Sequence, residues 1–321
     1  MNNIGARETV LNPKIEKGKQ IMQENFKSGF ISFVGRTNVG KSTLLNSLMQ
    51  EKIAIIANKP QTTRTAIKAI LNSQNYQIII TDTPGIHKPK TKLGETMIET
   101  AFTSLEEVDV VVFLIEATSG EIGRGDSRIL EKLKSTNKKC ILAINKIDLV
   151  EKETLLNLIK IYSDEYDFKA VVPISATSGD GTDKLVEEIV KLLPNGPKYY
   201  SEDEYTDQTT RQMIEEMIRE KALQFLNDEV PHGIYVELEK FKTGKTMKNE
   251  KIFNIDSVIY CGKESHKGII IGKGGNMLKR ISTSSRYDIE KLLGEKVNLK
   301  IWVKVREGWQ EKETFVKKFR I

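Results

Sequence analysis

Residues 35–42 read Gly35-Arg36-Thr37-Asn38-Val39-Gly40-Lys41-Ser42, a spacing of residue types suited to holding a chain of phosphates. Glycines five apart let the backbone turn its N–H groups inward around phosphate oxygens. A helix starting at the lysine adds the positive end of its dipole. In this pattern Gly35, Asn38, Val39, Gly40 and Thr43 shape the cradle. Lys41 reaches the β- and γ-phosphates, and the Ser42 hydroxyl ligates Mg²⁺. The plainer alternative is a glycine-rich turn that binds nothing. Alone, the motif speaks only for a nucleoside triphosphate.

A second run, Asn145-Lys146-Ile147-Asp148, narrows the base. An aspartate at the carboxyl end of a parallel strand can accept from guanine N1–H and from the 2-amino group. Adenine offers neither donor, so ATP would leave Asp148 unpaired. Ser175-Ala176-Thr177 ends the next strand-like run, where its backbone can donate to the guanine O6. Asp82-Thr83-Pro84-Gly85 supplies two further groups: Asp82 to hold Mg²⁺ and Gly85 to donate its N–H to the γ-phosphate. In Gln61-Thr62-Thr63-Arg64, a threonine can ligate the metal only while the γ-phosphate is present, and Thr63 is favoured over Thr62. Lys41, Thr63, Gly85 and Asn38 are therefore the expected catalytic set, with Ser42, Thr63 and Asp82 as metal ligands.

These groups need rigid strand ends. Strand-like apolar runs occur at 30–34, 67–71, 77–81, 108–115, 140–144 and 171–174, with helical stretches at 43–49, 96–104, 126–134, 155–162 and 183–192 between most of them. Alternation of this kind predicts an α/β fold, a doubly wound and largely parallel sheet covered on both faces. The pattern breaks at Pro194-Asn195-Gly196-Pro197, and the acidic run 201–207 reads as part of a linker. The expected organisation is an N-terminal extension 1–27, a nucleotide-binding domain 28–196, a linker 197–207 and a smaller α+β domain 208–321. Only Cys140 and Cys261 occur, in no metal-ligand spacing, and this fits a reducing compartment. No apolar run is long enough to cross a bilayer, and the N-terminus lacks a signal-peptide core.

Charge divides the chain. Residues 241–321 carry 19 Lys and Arg against 9 Asp and Glu; the remainder carries 31 against 35. Such an imbalance points to a polyanion partner for the C-terminal part rather than to a merely solvated face. Within it, Ile269-Ile270-Ile271-Gly272-Lys273-Gly274-Gly275-Asn276 precedes Met277, Leu278, Lys279 and Arg280. This resembles the KH signature, here in the type II order helix–strand–strand–helix–helix–strand. Glycines admit the backbone of a single strand close to the loop, and Lys273 meets its phosphates. Ile271, Gly272, Lys273, Gly274, Gly275, Asn276, Lys279 and Arg280 are the expected RNA contacts. Trp302 and Trp309 read as core or capping aromatics.

With these motifs in order, the sequence is similar to the translation-factor-like class of small GTPases, and specifically to the Era family, from about Lys27 to the end. The resemblance implies a P-loop GTPase followed by a type II KH domain, using GTP/GDP, Mg²⁺ and a candidate K⁺. It implies binding to 16S rRNA near its 3′ end and a checkpoint role in assembly of the 30S ribosomal subunit. It also implies a cytoplasmic monomer with peripheral association to the inner face of the membrane. Asn38 stands where related GTPases bind potassium; a loop-stabilising hydrogen bond is the alternative. Ile86 takes the place of the glutamine that orients water in many GTPases, so slow turnover is expected. His87 reads as a switch-loop surface residue before it reads as a base. Thr37 replaces a common proline. Met22, just before Phe26-Lys27-Ser28-Gly29, is a candidate initiator. The competing function is an RNA chaperone whose nucleotide is structural.

Overall fold

The computed structural model describes residues 25–316 apart from Asn58, Pro60, Gln61 and Lys90. Most of the expected N-terminal extension, Met22 included, lies outside the described residues. Five parallel strands form the centre of the first half: β1 (Lys27–Val34), β3 (Tyr76–Asp82), β4 (Val110–Glu116), β5 (Lys139–Asn145) and β6 (Ala170–Pro173). The remaining strand, β2 (Ile67–Asn72), runs antiparallel to β3 at the edge, and the order is β2-β3-β1-β4-β5-β6.

The central strands are apolar almost throughout because both faces are covered. Val110, Val112 and Leu114 face one cluster with Leu44 and Leu45 of α1 (Lys41–Met49) and Leu185 and Ile189 of α5 (Thr182–Leu192). Val111, Phe113 and Ile115 face the other, with residues of α2 (Lys92–Glu106), α3 (Arg124–Thr136) and α4 (Lys152–Glu165). Truncating Phe113 to alanine would cost about 3–5 kcal/mol, the range for a fully buried aromatic. β4 begins two residues later than the apolar run suggests. Asp109 turns its carboxylate back to accept from the Phe30 N–H at 2.8 Å, and Val108 packs into the second cluster instead of pairing.

The connections leaving β1 and β4 pass to opposite faces of the sheet, opening a crevice at the carboxyl ends of these strands where ligands of such sheets bind. The expected phosphate loop leaves β1 there.

The second half starts with α6 (Thr210–Phe225), whose first turn carries a reciprocal capping box between Thr209 and Gln212. Then come β7 (Ile234–Lys245), β8 (Lys251–Cys261), α7 (Glu264–Ile271), α8 (Asn276–Leu293), β9 (Lys296–Val305) and a short α9 (Glu313–Val316). β7 and β8 are antiparallel and β9 runs parallel to β8. Alternate β9 residues Val297, Leu299, Ile301, Val303 and Val305 pack with the helices. The opposite sheet face is covered at one end only, where Tyr235, Val258, Tyr260 and Trp309 meet Leu93 and Met97 of α2. Of the two tryptophans expected as core or capping aromatics, Trp309 is 1% exposed and is core, whereas Trp302 is 43% exposed and is not. It lies on the outer face of an edge strand, beyond the cover of α2.

The acidic connection does not hang free. Ile70 N–H donates to Tyr205 O at 3.0 Å and Asp207 N–H to Lys68 O at 3.4 Å, so residues 205–207 lie along the outer edge of β2. Gln77 holds the stretch further back, accepting from the N–H groups of Tyr199 and Tyr200 at 2.7 and 3.0 Å.

Candidate functional site

Gly35–Ser42 spans the crevice from β1 into α1. Gly40 has φ +102°, and a Cβ there would lie 2.2 Å from Asn145 Nδ2, so both the conformation and the space demand glycine. α1 starts with no side-chain cap and no acidic residue in its first turn, which leaves its leading N–H groups for an anion. Lys41 is buried and donates to the carbonyls of Gly35 (3.1 Å) and Arg36 (2.8 Å), closing the loop on itself. Burial lowers its pKa to about 8, with Asp82 opposing, so it remains a cation at neutral pH. Asn38 has φ +66° and is exposed at the rim; among the described residues its side chain has no hydrogen-bond partner. Thr43 borders the same cleft of about 80 Å³ as Asn38, Lys41, Ser42, Thr63 and Gly85.

Three oxygen-bearing side chains meet behind the loop. Ser42 Oγ donates to Asp82 Oδ2 at 2.7 Å and lies 2.9 Å from Thr63 Oγ1, which is 3.3 Å from the same carboxylate oxygen. Burial raises the pKa of Asp82, opposed by Lys41 and the two hydroxyls. Its Oδ1 is buried with no partner. A cluster of hard oxygen donors around an unsatisfied carboxylate fits Mg²⁺, which favours oxygen ligands and few protein contacts. Thr62 turns away, donating to the carbonyls of Ala57 (3.1 Å) and Lys59 (2.6 Å), and Gln61 lies outside the described residues. Gly85 faces this cleft. Ile86 N–H donates to Gly35 O at 3.1 Å while its side chain is buried in the sheet cluster, so that position offers no polar group to a water. His87 Nδ1 lies 2.9 Å from the Gly85 carbonyl.

Asn145 ties the base side to the phosphate side. Its Nδ2 donates to Val39 O at 2.8 Å and its Oδ1 accepts from Ala176 N–H at 2.9 Å. Lys146 (φ +65°) pairs with Glu116 at 2.5 Å. Asp148 is exposed in a short 3-10 turn, with no partner for its carboxylate among the described residues. Ser175 N–H is used by Asp180 O and Ala176 N–H by Asn145, which leaves that of Thr177 without a partner among the described residues.

The second glycine loop joins α7 to α8. Gly272, Gly274 and Gly275 have φ of +74°, +60° and +78°, and nothing lies within 4 Å of a Cβ placed at the last two. Lys273, Asn276, Lys279 and Arg280 are exposed around it, and Gly272 and Ile271 are half-buried. Ile269, 50% exposed, gives the loop an apolar flank. The Arg280 guanidinium rests 4.1 Å above the Phe225 ring, which fixes its direction; sequence reasoning missed this partner on α6. It also missed Glu116 opposite Lys146 and the pairing of Arg36 with buried Asp126 at 3.0 Å. These carboxylates belong to elements remote in sequence and sit in no motif.

Among the described residues no helix is long and apolar enough to cross a membrane. Residues 30–146 match the family described as 50S ribosome-binding GTPase, and residues 229–310 match the KH domain family. GTPase Era of Thermoanaerobacter sp. (strain X514) is 53% identical over 91% of this chain and 95% of its own length. GTPase Era of Clostridioides difficile (strain 630) is 50% identical over 92% and 98%. A crystal structure of Era in complex with MgGDPNP and nucleotides 1506–1542 of 16S ribosomal RNA is similar with a TM-score of 0.87, 40% identity, and cover of 92% of this chain and 98% of that one. A tyrosine-to-alanine variant of Aquifex aeolicus Era bound to GDP·AlF4⁻ gives the same TM-score and identity, with cover of 92% and 99%.

Proposed function

The chain belongs to the Era family of GTPases, and from that premise we propose that it is a nucleotide-gated RNA-binding protein of small-subunit assembly. It binds GTP, hydrolyses it slowly to GDP and phosphate, and in the GTP state engages 16S rRNA near its 3′ end on the maturing 30S subunit. The observation that carries this reading is the convergence of Ser42, Thr63 and Asp82 beside Lys41, a γ-phosphate-sensing arrangement on the same chain as an open, basic Gly-x-x-Gly loop.

The geometry supports the following roles. Lys41 exchanges its two carbonyl partners for β- and γ-phosphate oxygens, while the free N–H groups at the start of α1 and that of Gly85 take further oxygens. Ser42, Thr63 and Asp82 would hold Mg²⁺, which would supply neutralising charge to those oxygens. A water oxygen bonds to the γ-phosphorus as the bond to the β–γ bridging oxygen breaks, releasing GDP and inorganic phosphate. With Ile86 buried and aliphatic, no side chain at that position orients the water, which would be placed by backbone groups together with the bound cations, and slow turnover is expected. Asn38, whose side chain has no hydrogen-bond partner among the described residues, would hold a potassium ion, which would supply positive charge beside the phosphates; equal turnover in potassium and sodium chloride would remove that assignment. Asp148 reads guanine through its two donors, and the backbone of 175–177 meets O6.

The nucleotide domain comprises residues 28–196, the connection 197–207 and the RNA-binding domain 208–321, after an extension 1–27. Gly272, Gly274 and Gly275 admit a single strand, with Lys273, Asn276, Lys279 and Arg280 meeting its backbone and the flank of Ile269 and Ile271 meeting bases. The protein acts in the cytoplasm as a monomer, with peripheral contact to the inner face of the membrane, a reading that rests on the family resemblance. Membrane fractionation with and without a salt wash tests that contact.

The deciding experiment compares affinity for a small-subunit rRNA 3′-end oligonucleotide with a non-hydrolysable GTP analogue and with GDP, at one salt concentration. Tighter binding with the analogue is expected. Equal affinity would favour a chaperone whose nucleotide only stabilises the fold.

A further inference from the structure

The stretch between α1 and β2 carries Thr63, and its described residues form no helix or strand. Inside the nucleotide half it is anchored where Asn46 Oδ1 accepts from the N–H groups of Ile53 (2.9 Å) and Ala54 (2.8 Å), and again at Thr63 itself. Its other anchors come from the RNA-binding half. Glu220 of α6 accepts from the Ile56 N–H at 2.9 Å and from the Lys52 ammonium at 2.5 Å. Arg219, next to it, donates through Nη2 to the carbonyl of Thr62 and is steadied by Glu216. Arg64 crosses in the other direction. Its Nη1 donates to Ile234 O at 2.5 Å and its Nη2 to His232 O at 3.0 Å, with the guanidinium 5.5 Å from the Trp309 ring centre. Thr63 is therefore pinned from both sides by residues locked into the other half, and both arginines are only 2% exposed.

Two buried guanidiniums side by side are expensive. Burial, and then the charge of Arg219, lower the pKa of Arg64 to about 9, with Glu216 opposing. An arrangement of this cost persists only where several contacts over-determine it. Arg64 Nε and Arg219 Nη1 are buried without partners beside a cleft of about 360 Å³, which could suggest an anion site. Asp207, Glu215, Glu216 and Glu237 line the same cleft and would repel an anion. What remains is the clamp itself: Arg219 on the Thr62 carbonyl before Thr63, and Arg64, the residue after it, on the carbonyls of His232 and Ile234.

We propose that Arg219 and Arg64 are positioning residues for Thr63, so that the RNA-binding half holds the switch threonine over Ser42 and Asp82 and sets how well the site tells GTP from GDP. The proposal rests on the role given to Thr63 above. Thr63 matters only when a γ-phosphate is present, so loosening it weakens GTP and spares GDP. A residue that merely glued the halves together would affect both nucleotides alike.

The test is calorimetric affinity of the full chain, with Mg²⁺, for a non-hydrolysable GTP analogue and for GDP, in wild type, Arg219→Ala, Thr63→Ala and the double variant. Arg219→Ala should weaken the analogue about tenfold, the size expected for one charge-assisted hydrogen bond, and leave GDP unchanged. It should add nothing in the Thr63→Ala background. Equal losses for both nucleotides, no loss, or an additive loss in the double variant would overturn the proposal while leaving the role of Thr63 standing. A Thr63→Ala variant with undiminished preference for the analogue would sink that role and the proposal together. Should Arg219→Ala not fold, Arg64→Lys keeps the cation but cannot span both carbonyls, and it should show the same selective loss.

Discussion

In the nucleotide half, Lys41 at the start of α1 and Asp82 at the end of β3 are buried, and both are already engaged with neighbouring side chains or carbonyls. In the RNA-binding half, Lys273, Lys279 and Arg280 stand exposed around a loop with open space beside its glycines. Both halves bind phosphate esters, yet one is a preorganised interior and the other a hydrated rim. The difference follows from the ligands. A single triphosphate concentrates several charges within one cleft and repays desolvated, fixed donors. An RNA strand spreads one charge per nucleotide along its length, and its contribution comes from released counterions at solvent-facing cations. Arg280 stacked on Phe225 is a partial exception, oriented by an aromatic face while its guanidinium stays wet.

If the contrast is sound, the largest effects fall inside the cleft. Lys41→Ala should lower kcat/KM for GTP by about 100-fold or more, the range for removing one preorganised donor from an enclosed site. Steady-state phosphate release would measure it, and circular dichroism would check that the fold persists. Asp148→Asn should weaken GTP by about 100-fold and favour xanthosine triphosphate, whose C2 oxygen accepts where guanine donates; competition binding with the two nucleotides reads this out. On the rim the effects should be smaller and depend on salt. Lys273→Ala should weaken single-stranded RNA by about tenfold and reduce the slope of log K against log salt by about 0.7, the amount for one lost phosphate contact on a single strand. A large loss at Lys273 that did not vary with salt would break the comparison, because it would mean that this loop too is a preorganised interior.

The smallest expected effect concerns proton uptake by the core. Burial pushes up the pKa of the Cys140 thiol, and burial with the Asp126 charge pushes up that of Tyr162. In the unfolded chain these groups lose their protons first, so alkaline pH favours unfolding. Stability is full below about pH 8.5, the ordinary thiol value, and falls as pH rises above it. Thermal melts between neutral and alkaline pH would show the decline, and Cys140→Val should flatten it.

The sequence made the strands and most of the site legible because each rests on local pattern. The runs that became β4 and β5 are dominated by Val, Ile and Leu, with Phe113, Cys140 and Ala143 among them, and the glycine, lysine and hydroxyl of the phosphate loop are fixed by contiguous backbone geometry. What stayed hidden depends on residues far apart in sequence. Nothing near Arg64 announces that its partners are the carbonyls of His232 and Ile234, and nothing near Arg219 points to Thr62. Which tryptophan would be core and which exposed was hidden for a related reason, as Trp302 shows. Its burial is decided by how far α2 reaches across the KH sheet, and alternation along β9 does not encode that.

The acidic connection has one more consequence. By lying against β2 at Ile70 and Lys68, residues 205–207 cover the only antiparallel rim of the larger sheet among the described strands, a row of groups that would otherwise recruit strands from other molecules. The segment that tethers the halves is thus also a guard against self-association. A nucleotide domain cut at residue 196 would lose that guard and be prone to aggregate, whereas one cut after Asp207 would keep it. Where the chain is severed would then determine whether its first half survives alone in solution.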